Sequence, residues 1–337
     1  MTLETLLSVD DLRVTYRGAG KETRAVDGAF LDLRKGGLLG LVGESGCGKT
    51  TLARAIMGVL PRAANITGGR VVLDGVDLVA LTPAERRARL WRDVAFIPQS
   101  AMNALDPVYR LATQMREVLC DRGGFSRAAA NARAAELFKA VGLDPARLKD
   151  FPHQFSGGMR QRAAIAMALA LNPKLIVADE PVTALDVLVQ RQVLDTFRAL
   201  SESLHVSAII VTHDVSVVAF LCDTVAVMYA GRIVEHGPAR DVLSKPAHPY
   251  TMGLMRAFPD LDGSPTTLVP IEGAPPSLLD PPPGCRFAPR CPFALPACRV
   301  DDPVSRNVAA DHRAACLRAD EAETLRGRAA EAATWTR

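Results

Sequence analysis

The chain has 337 residues, 48% hydrophobic and 23% charged, enough for one large or two modest domains around a sizeable core. With 40 basic against 37 acidic side chains the formal charge is +3, too small a field to draw the chain to nucleic acid or anionic lipid. The N-terminal "MTLETLLSVDDLRVTYR" has no basic segment followed by an apolar run, so it does not read as a signal peptide. The longest purely apolar stretch, residues 163–171, has nine residues against the ~20 of a membrane span. A cytosolic protein that meets membranes only through partners is expected.

Up to about residue 98 the chain reads as short β-rich segments bounded by Gly or Asp: "SVDDLRVTY", "GAFLDLRKG", "LLGLVG" and "GRVVLDGVDL". One helix interrupts them, beginning near Lys49. From about Pro107 to Leu171 the spacing turns helical, as in "SRAAANARAAELFKAVGL". After Pro173 come the buried strand "KLIVADE", the helix "DVLVQRQVLDTFRALSESL", the strand "SAIIVTHD" and the hairpin-like "TVAVMYAGRIVEHG". This alternation predicts an α/β fold with a largely parallel core and a helical insertion. Residues 245–284 are Pro-rich and read as a semi-rigid linker, followed by a cysteine-rich tail ending in an exposed Ala/Glu/Arg helix. The expected organisation is a core in two parts (1–98 and 173–244), a helical insertion (99–172), the linker (245–284) and the tail (285–337).

The chemistry concentrates in three motifs. "LLGLVGESGCGKTT" places Gly43, Gly48, Lys49 and Thr50 in G-x-x-x-x-G-K-[ST] between an apolar strand and a helix. Without side chains at the glycines, backbone N–H groups can turn inward around a phosphate, and the helix N-terminus adds positive potential. Ser45, Gly46, Cys47 and Thr51 complete the expected nucleotide-binding loop; Lys49 reaches the β- and γ-phosphates and the Thr50 hydroxyl meets Mg²⁺. "KLIVADEP" ends a buried strand in Asp179, a ligand for Mg²⁺, and Glu180, positioned to accept a proton from an attacking water. "FSGGMRQR" sets Ser156, Gly157 and Gly158 before a helical run. One nucleotide does not need this second anion-ready helix N-terminus, which makes sense if it covers the γ-phosphate held by another subunit.

Together these motifs resemble the ATP-binding cassette (ABC) family over about residues 5–240. The resemblance implies a P-loop NTPase (RecA-like) core with an antiparallel β subdomain and an inserted α-helical subdomain. It implies that Tyr16 stacks on adenine and that Gln99 senses the γ-phosphate and Mg²⁺. The loop "TALD" (183–186), with Asp186, would cross a dimer interface, and His213 would be the switch histidine. Glu180, His213, Lys49 and Gln99 form the implied catalytic set; Thr50, Gln99 and Asp179 hold Mg²⁺. Met159 stands where many members have Gln, and Thr183 where Ser is usual.

"PHQFSGGMRQR", "HPYT", "EGAPPSL" and "PPGCRFAPRCP" narrow the resemblance to ATPase subunits of bacterial oligopeptide/dipeptide permeases, a branch that includes nickel importers. A soluble nucleic-acid ATPase is the competing class; one cassette, no long heptad segment and near-neutral charge argue against it. The branch implies a second, different ATPase chain, two membrane permease subunits and a separate solute-binding protein. It places the chain at the cytoplasmic face of the cell membrane. Four of the seven cysteines, Cys285, Cys291, Cys298 and Cys316, crowd the tail with five, six and seventeen residues between them. In a reducing cytosol such a group points to metal rather than disulfides. The resemblance implies a [4Fe–4S] cluster; zinc, with His312 completing a Cys₃His site, and free thiols are the alternatives. Remote in sequence from Thr50, Asp179 and Glu180, the tail cluster is expected to be structural.

Overall fold

Apolar runs without polar alternation suit strands covered on both faces. In the computed structural model, which describes residues 4–18, 20–99, 104–183, 185–257 and 269–335, those runs are buried parallel strands. The chain divides into two units.

The unit built around residues 80–211 holds Val94–Ile97, Leu175–Asp179 and Ser207–Thr212 in parallel, with Leu175–Asp179 in the middle. Every residue of Leu175–Asp179 and Ser207–Thr212 is buried. The helical insertion consists of Leu111–Arg116, a π-helical turn over Glu117–Arg122, Arg127–Ala140 and Gly157–Ala168. Val187–Leu204 follows, capped by Asp186 and stopped by His205 in the left-handed conformation. A helix over Pro83–Arg89 was not expected from the sequence. It buries no residue, so it carries no apolar period, but Thr82 and Glu85 form a full capping box at its start.

The other unit takes residues 7–32, 39–79 and 212 onward. Its first sheet orders Lys21–Arg34, Thr5–Gly18, Ala64–Leu73 and Val76–Asp77. In its second, Leu38–Val42 lies parallel to Thr224–Tyr229, which turns antiparallel into Arg232–Pro238. His312–Ala314 and then Arg306–Ala309 extend that sheet antiparallel, so the tail contributes two strands to it. Two expectations for the C-terminal part fail. Within the stretch read as linker, Pro249–Arg256 is a helix with Tyr250 and Thr251 fully buried. Its proline stands at the first helical position, where a missing N–H costs nothing. Residues 258–268 of that stretch lie outside the described residues. The last helix, Ala322–Ala329, is not simply exposed, since Ala322, Leu325 and Ala329 are buried. Among the described residues no helix is long and apolar enough to cross a membrane.

Candidate nucleotide site and cysteine cavity

The loop between Leu38–Val42 and the helix Lys49–Met57 has the shape its glycines require. A Cβ at Gly43 would sit 2.1 Å from the Met228 carbonyl oxygen, and one at Gly48 2.2 Å from that of Ala25. Gly48 also has φ 110°, a conformation side chains resist. Ser45 and Gly46 are exposed at the tip. Lys49 is buried, its Nζ donating to the carbonyls of Gly43 at 2.6 Å and Glu44 at 2.9 Å. An amine held by two carbonyls across the loop mouth is placed to turn to a phosphate. Cys47 is buried against Lys49, and burial pushes its thiol pKa up. The Tyr16 hydroxyl lies 3.2 Å from Thr51 Oγ1, which sets its ring beside the first helical turn. In the same unit Asp214 caps the helix Val215–Leu221, its N–H donating to Thr212 Oγ1, and His213 between them is exposed.

In the unit around residues 80–211, Asp179 is buried at the end of its strand and Glu180 follows with φ 49°. A left-handed glutamate costs roughly 1–2 kcal/mol, a strain that collects at functional sites. Its N–H donates to Val211 O at 2.7 Å, which keeps it beside the strand. Gln99 Nε2 donates to Glu180 Oε2 at 2.9 Å and Thr183 Oγ1 donates to the same oxygen at 3.0 Å. Three sites chosen separately from the sequence thus meet at one carboxylate. Ser156 caps Gly157–Ala168 by accepting from Met159 N–H at 3.3 Å and is exposed. A Cβ on Gly158 would fall 2.3 Å from Val189 Cγ1, so this glycine is needed for packing as well. Asp186 Oδ1 accepts from Val189 N–H at 3.0 Å; here it is a helix cap, and Ala184 of its loop lies outside the described residues.

Cys285, Cys291, Cys298 and Cys316 line one small cavity floored by Phe287 and Phe293. Burial pushes the Cys291 thiol up to about 12 and the Cys316 thiol up to about 11. Backbone N–H groups oppose this: Phe287 and Ala288 point at Cys285, Phe293 at Cys291, and Arg318 at Cys316 Sγ, 3.4 Å away. Donors aimed at sulfur favour the thiolate, as a ligand set requires. Among the described residues no group of three or more His, Cys, Asp or Glu side chains could hold a metal ion. The Cys₃His alternative loses its histidine: His312 Nε2 pairs with buried Glu235 at 2.7 Å, and the ring is not in the cavity wall.

Though distant in sequence, the tail reaches the nucleotide loop within the same unit. Arg290 Nη1 lies 3.0 Å from both carboxylate oxygens of Glu44, and Tyr250 Oη accepts from Glu44 N–H at 2.9 Å. Arg286 pairs with buried Asp27, which also receives Arg13 at 3.0 Å and Arg232 at 3.5 Å. Burial pushes the Asp27 carboxyl up, but Arg286, Arg232 and Arg13 outweigh it and hold the pKa below the usual range. Arg286 also donates to Ala230 O, while Gly231 N–H donates to Cys47 O at 2.8 Å. The sequence reading missed Glu44, Asp27, Tyr250, Arg286 and Arg290. The one available signal was that each of these arginines adjoins a tail cysteine.

Residues 26–183 match the family described as ABC transporter, and residues 234–298 match the C-terminal region of oligopeptide/dipeptide transporters. The chain is 45% identical to a dipeptide transport ATP-binding protein of Bacillus subtilis, over 88% of this chain and 89% of that protein. It is 44% identical to an oligopeptide transport ATP-binding protein of Salmonella typhimurium, over 89% of this chain and 90% of that one. A solved ATP-binding cassette dimer in a post-hydrolysis state with ADP and Pi superposes with TM-score 0.62 at 26% identity. It covers 69% of this chain and 99% of that one.

Proposed function

From the premise that the chain belongs to the ATP-binding proteins of the ABC transporter family, we propose that it is the ATP-hydrolysing subunit of an importer for di- and oligopeptides. The observation that carries the substrate class is the match of residues 234–298 to the oligopeptide/dipeptide C-terminal region, joined to near-complete coverage of two peptide-transport relatives. The chain acts at the cytoplasmic face of the membrane with two permease subunits, a solute-binding protein and a second ATPase chain of different sequence.

The Gly43–Thr50 backbone and Lys49 bind the β- and γ-phosphates, with Tyr16 against the base. Mg²⁺, when bound, would balance the phosphate charge; the Thr50 hydroxyl in one unit, and buried Asp179 and the Gln99 amide oxygen in the other, are each hard oxygen donors of the kind it takes. Gln99 and Thr183, both bonded to Glu180 Oε2, hold this carboxylate in place to orient water or take its proton. His213 and Lys49 stabilise charge developing on the γ-phosphate. Ser156, Gly157, Gly158 and Asp186 serve the nucleotide of the opposite chain. ATP then bridges both halves only when they close, the differential affinity that a population shift requires. The tail cysteines would hold a [4Fe–4S] cluster that fastens the extension; four thiols around one cavity, with the Arg318 N–H aimed at Cys316 Sγ, support this reading.

Uptake of a labelled dipeptide by cells lacking the chromosomal gene tests the reading. Wild type should restore uptake and Lys49→Ala should not. Unaffected uptake, with ATP turnover stimulated by nucleic acid instead, would replace the transporter with the competing class.

A further inference from the structure

Glu44, the second residue of the phosphate loop, is held by three of its groups at once. Its carbonyl accepts from Lys49 Nζ at 2.9 Å, its N–H donates to Tyr250 Oη at 2.9 Å, and its carboxylate pairs with Arg290 at 3.0 Å. The Arg290 side chain is 7% exposed and every arm of its fork is engaged. Nη1 serves Glu44 and lies 3.3 Å from Tyr229 Oη, Nε donates to Glu272 O at 3.0 Å, and Nη2 to Ile271 O at 3.1 Å. Its own backbone N–H donates to Phe287 O at 2.9 Å. Phe287 in turn packs edge-on to Tyr229 at 5.2 Å and Tyr250 at 5.5 Å, and these two rings stand 4.5 Å apart. The turn between Cys285 and Cys291 therefore reaches Glu44 by two routes, one ionic through Arg290 and one aromatic through Tyr250.

We infer that Arg290 is a positioning residue of the phosphate loop: through Glu44 it fixes the loop and Lys49, so the cysteine-bearing extension sets the affinity for ATP. This inference rests on the ATP reading above and adds a determinant outside the motifs that carry it. A loop whose N–H groups must all face one ligand binds tightly only if its shape is present beforehand, since ordering it on binding subtracts from affinity. Glu44 supplies that order through its bonds to Lys49, Tyr250 and Arg290. Losing Arg290 leaves a largely buried carboxylate without its counter-charge in the middle of the loop. The loss falls on affinity, because Arg290 acts on the loop through Glu44 rather than on a reacting atom.

The test measures MgATP binding to the full-length chain in a Glu180→Gln background by titration calorimetry, with Arg290→Met, Glu44→Gln and the double variant. Each single change should weaken binding about tenfold, about 1.4 kcal/mol. The double variant should be no weaker than either single, since both remove one interaction. Arg290→Lys, which keeps the charge without the fork, should recover part of the affinity. In the assembled transporter carrying wild-type Glu180, Arg290→Met should raise KM for ATP far more than it lowers kcat. Amide hydrogen exchange across residues 44–48 should speed up without nucleotide. Single-variant affinities within twofold of wild type, or a double variant near one hundredfold, would overturn the inference. Should Arg290→Met not fold, the isosteric Glu44→Gln and Arg290→Lys decide alone. A parent chain that binds no MgATP at all would sink the ATP reading instead, which keeps the two failures apart.

Discussion

Replacing Asp27 by Asn should destabilise the chain by about 3 kcal/mol at neutral pH. Asp27 is 6% exposed and faces three guanidinium groups, of which Arg286 is 6% exposed, Arg232 29% and Arg13 45%. The half-exposed Arg13 pair is worth at most about 1 kcal/mol after screening by solvent. Stripping a buried cation of its counter-charge costs about 3–5 kcal/mol, and Arg286 keeps one bond to Ala230 O, which favours the lower end. Urea unfolding of the full-length chain, with m near 3 kcal/mol/M, would then show a midpoint lower by about 1 M. The pH dependence has a definite sign. The folded pKa lies below the unfolded value of 3.8, so the contribution is complete above 3.8 and fades as pH falls through the folded value. Wild type and variant should therefore converge in acid. Pairing Asp27→Leu with Arg286→Met should recover most of the loss, since it removes the buried Arg286 charge while Arg232 keeps Asp302 as its partner. A cost below 0.5 kcal/mol at pH 7, on the order of an ordinary surface change, would refute the account of this cluster.

Three further outcomes follow from the site. Glu180→Gln should bind MgATP but turn it over about 10²–10⁴-fold more slowly in the assembled complex; near-normal turnover would remove Glu180 as the base. Ser156→Arg should abolish hydrolysis at the partner's nucleotide while the isolated chain still binds its own; loss of that binding would end the trans assignment of the signature helix. Anaerobically purified protein should contain iron and absorb broadly in the visible, and Ser at Cys285, Cys291, Cys298 or Cys316 should lower both. Stoichiometric zinc without iron would eliminate the cluster.

The motifs proposed to bind nucleotide were legible as local patterns: a glycine loop between strand and helix, an acidic pair ending an apolar run, a capping serine before a helix. Nothing local in the sequence shows that Gln99 and Glu180 meet across two adjacent parallel strands. What sequence could not supply was the grip of the tail. Glu44 and Arg290 are 246 residues apart and Asp27 and Arg286 are 259 apart. A lone arginine beside a cysteine carries no local sign of its partner. Two misses were avoidable. Thr82-x-x-Glu85 is a readable helix start, and Pro249 after His248 marks a first helical turn rather than a linker.

The pairing of Glu235 and His236 with Ala314 and Arg313 has a consequence for solubility. Without the tail, Arg232–Pro238 would be the border of its sheet, offering an open row of N–H and carbonyl groups to any neighbouring chain. Such borders template intermolecular pairing. The hairpin of His312–Ala314 and Arg306–Ala309 moves the border outward to a four-residue strand that begins Arg306-Asn307. A short border with a charge on it is a poor template. Shortened forms of the chain ending before residue 306 should accordingly self-associate, whatever their capacity for ATP.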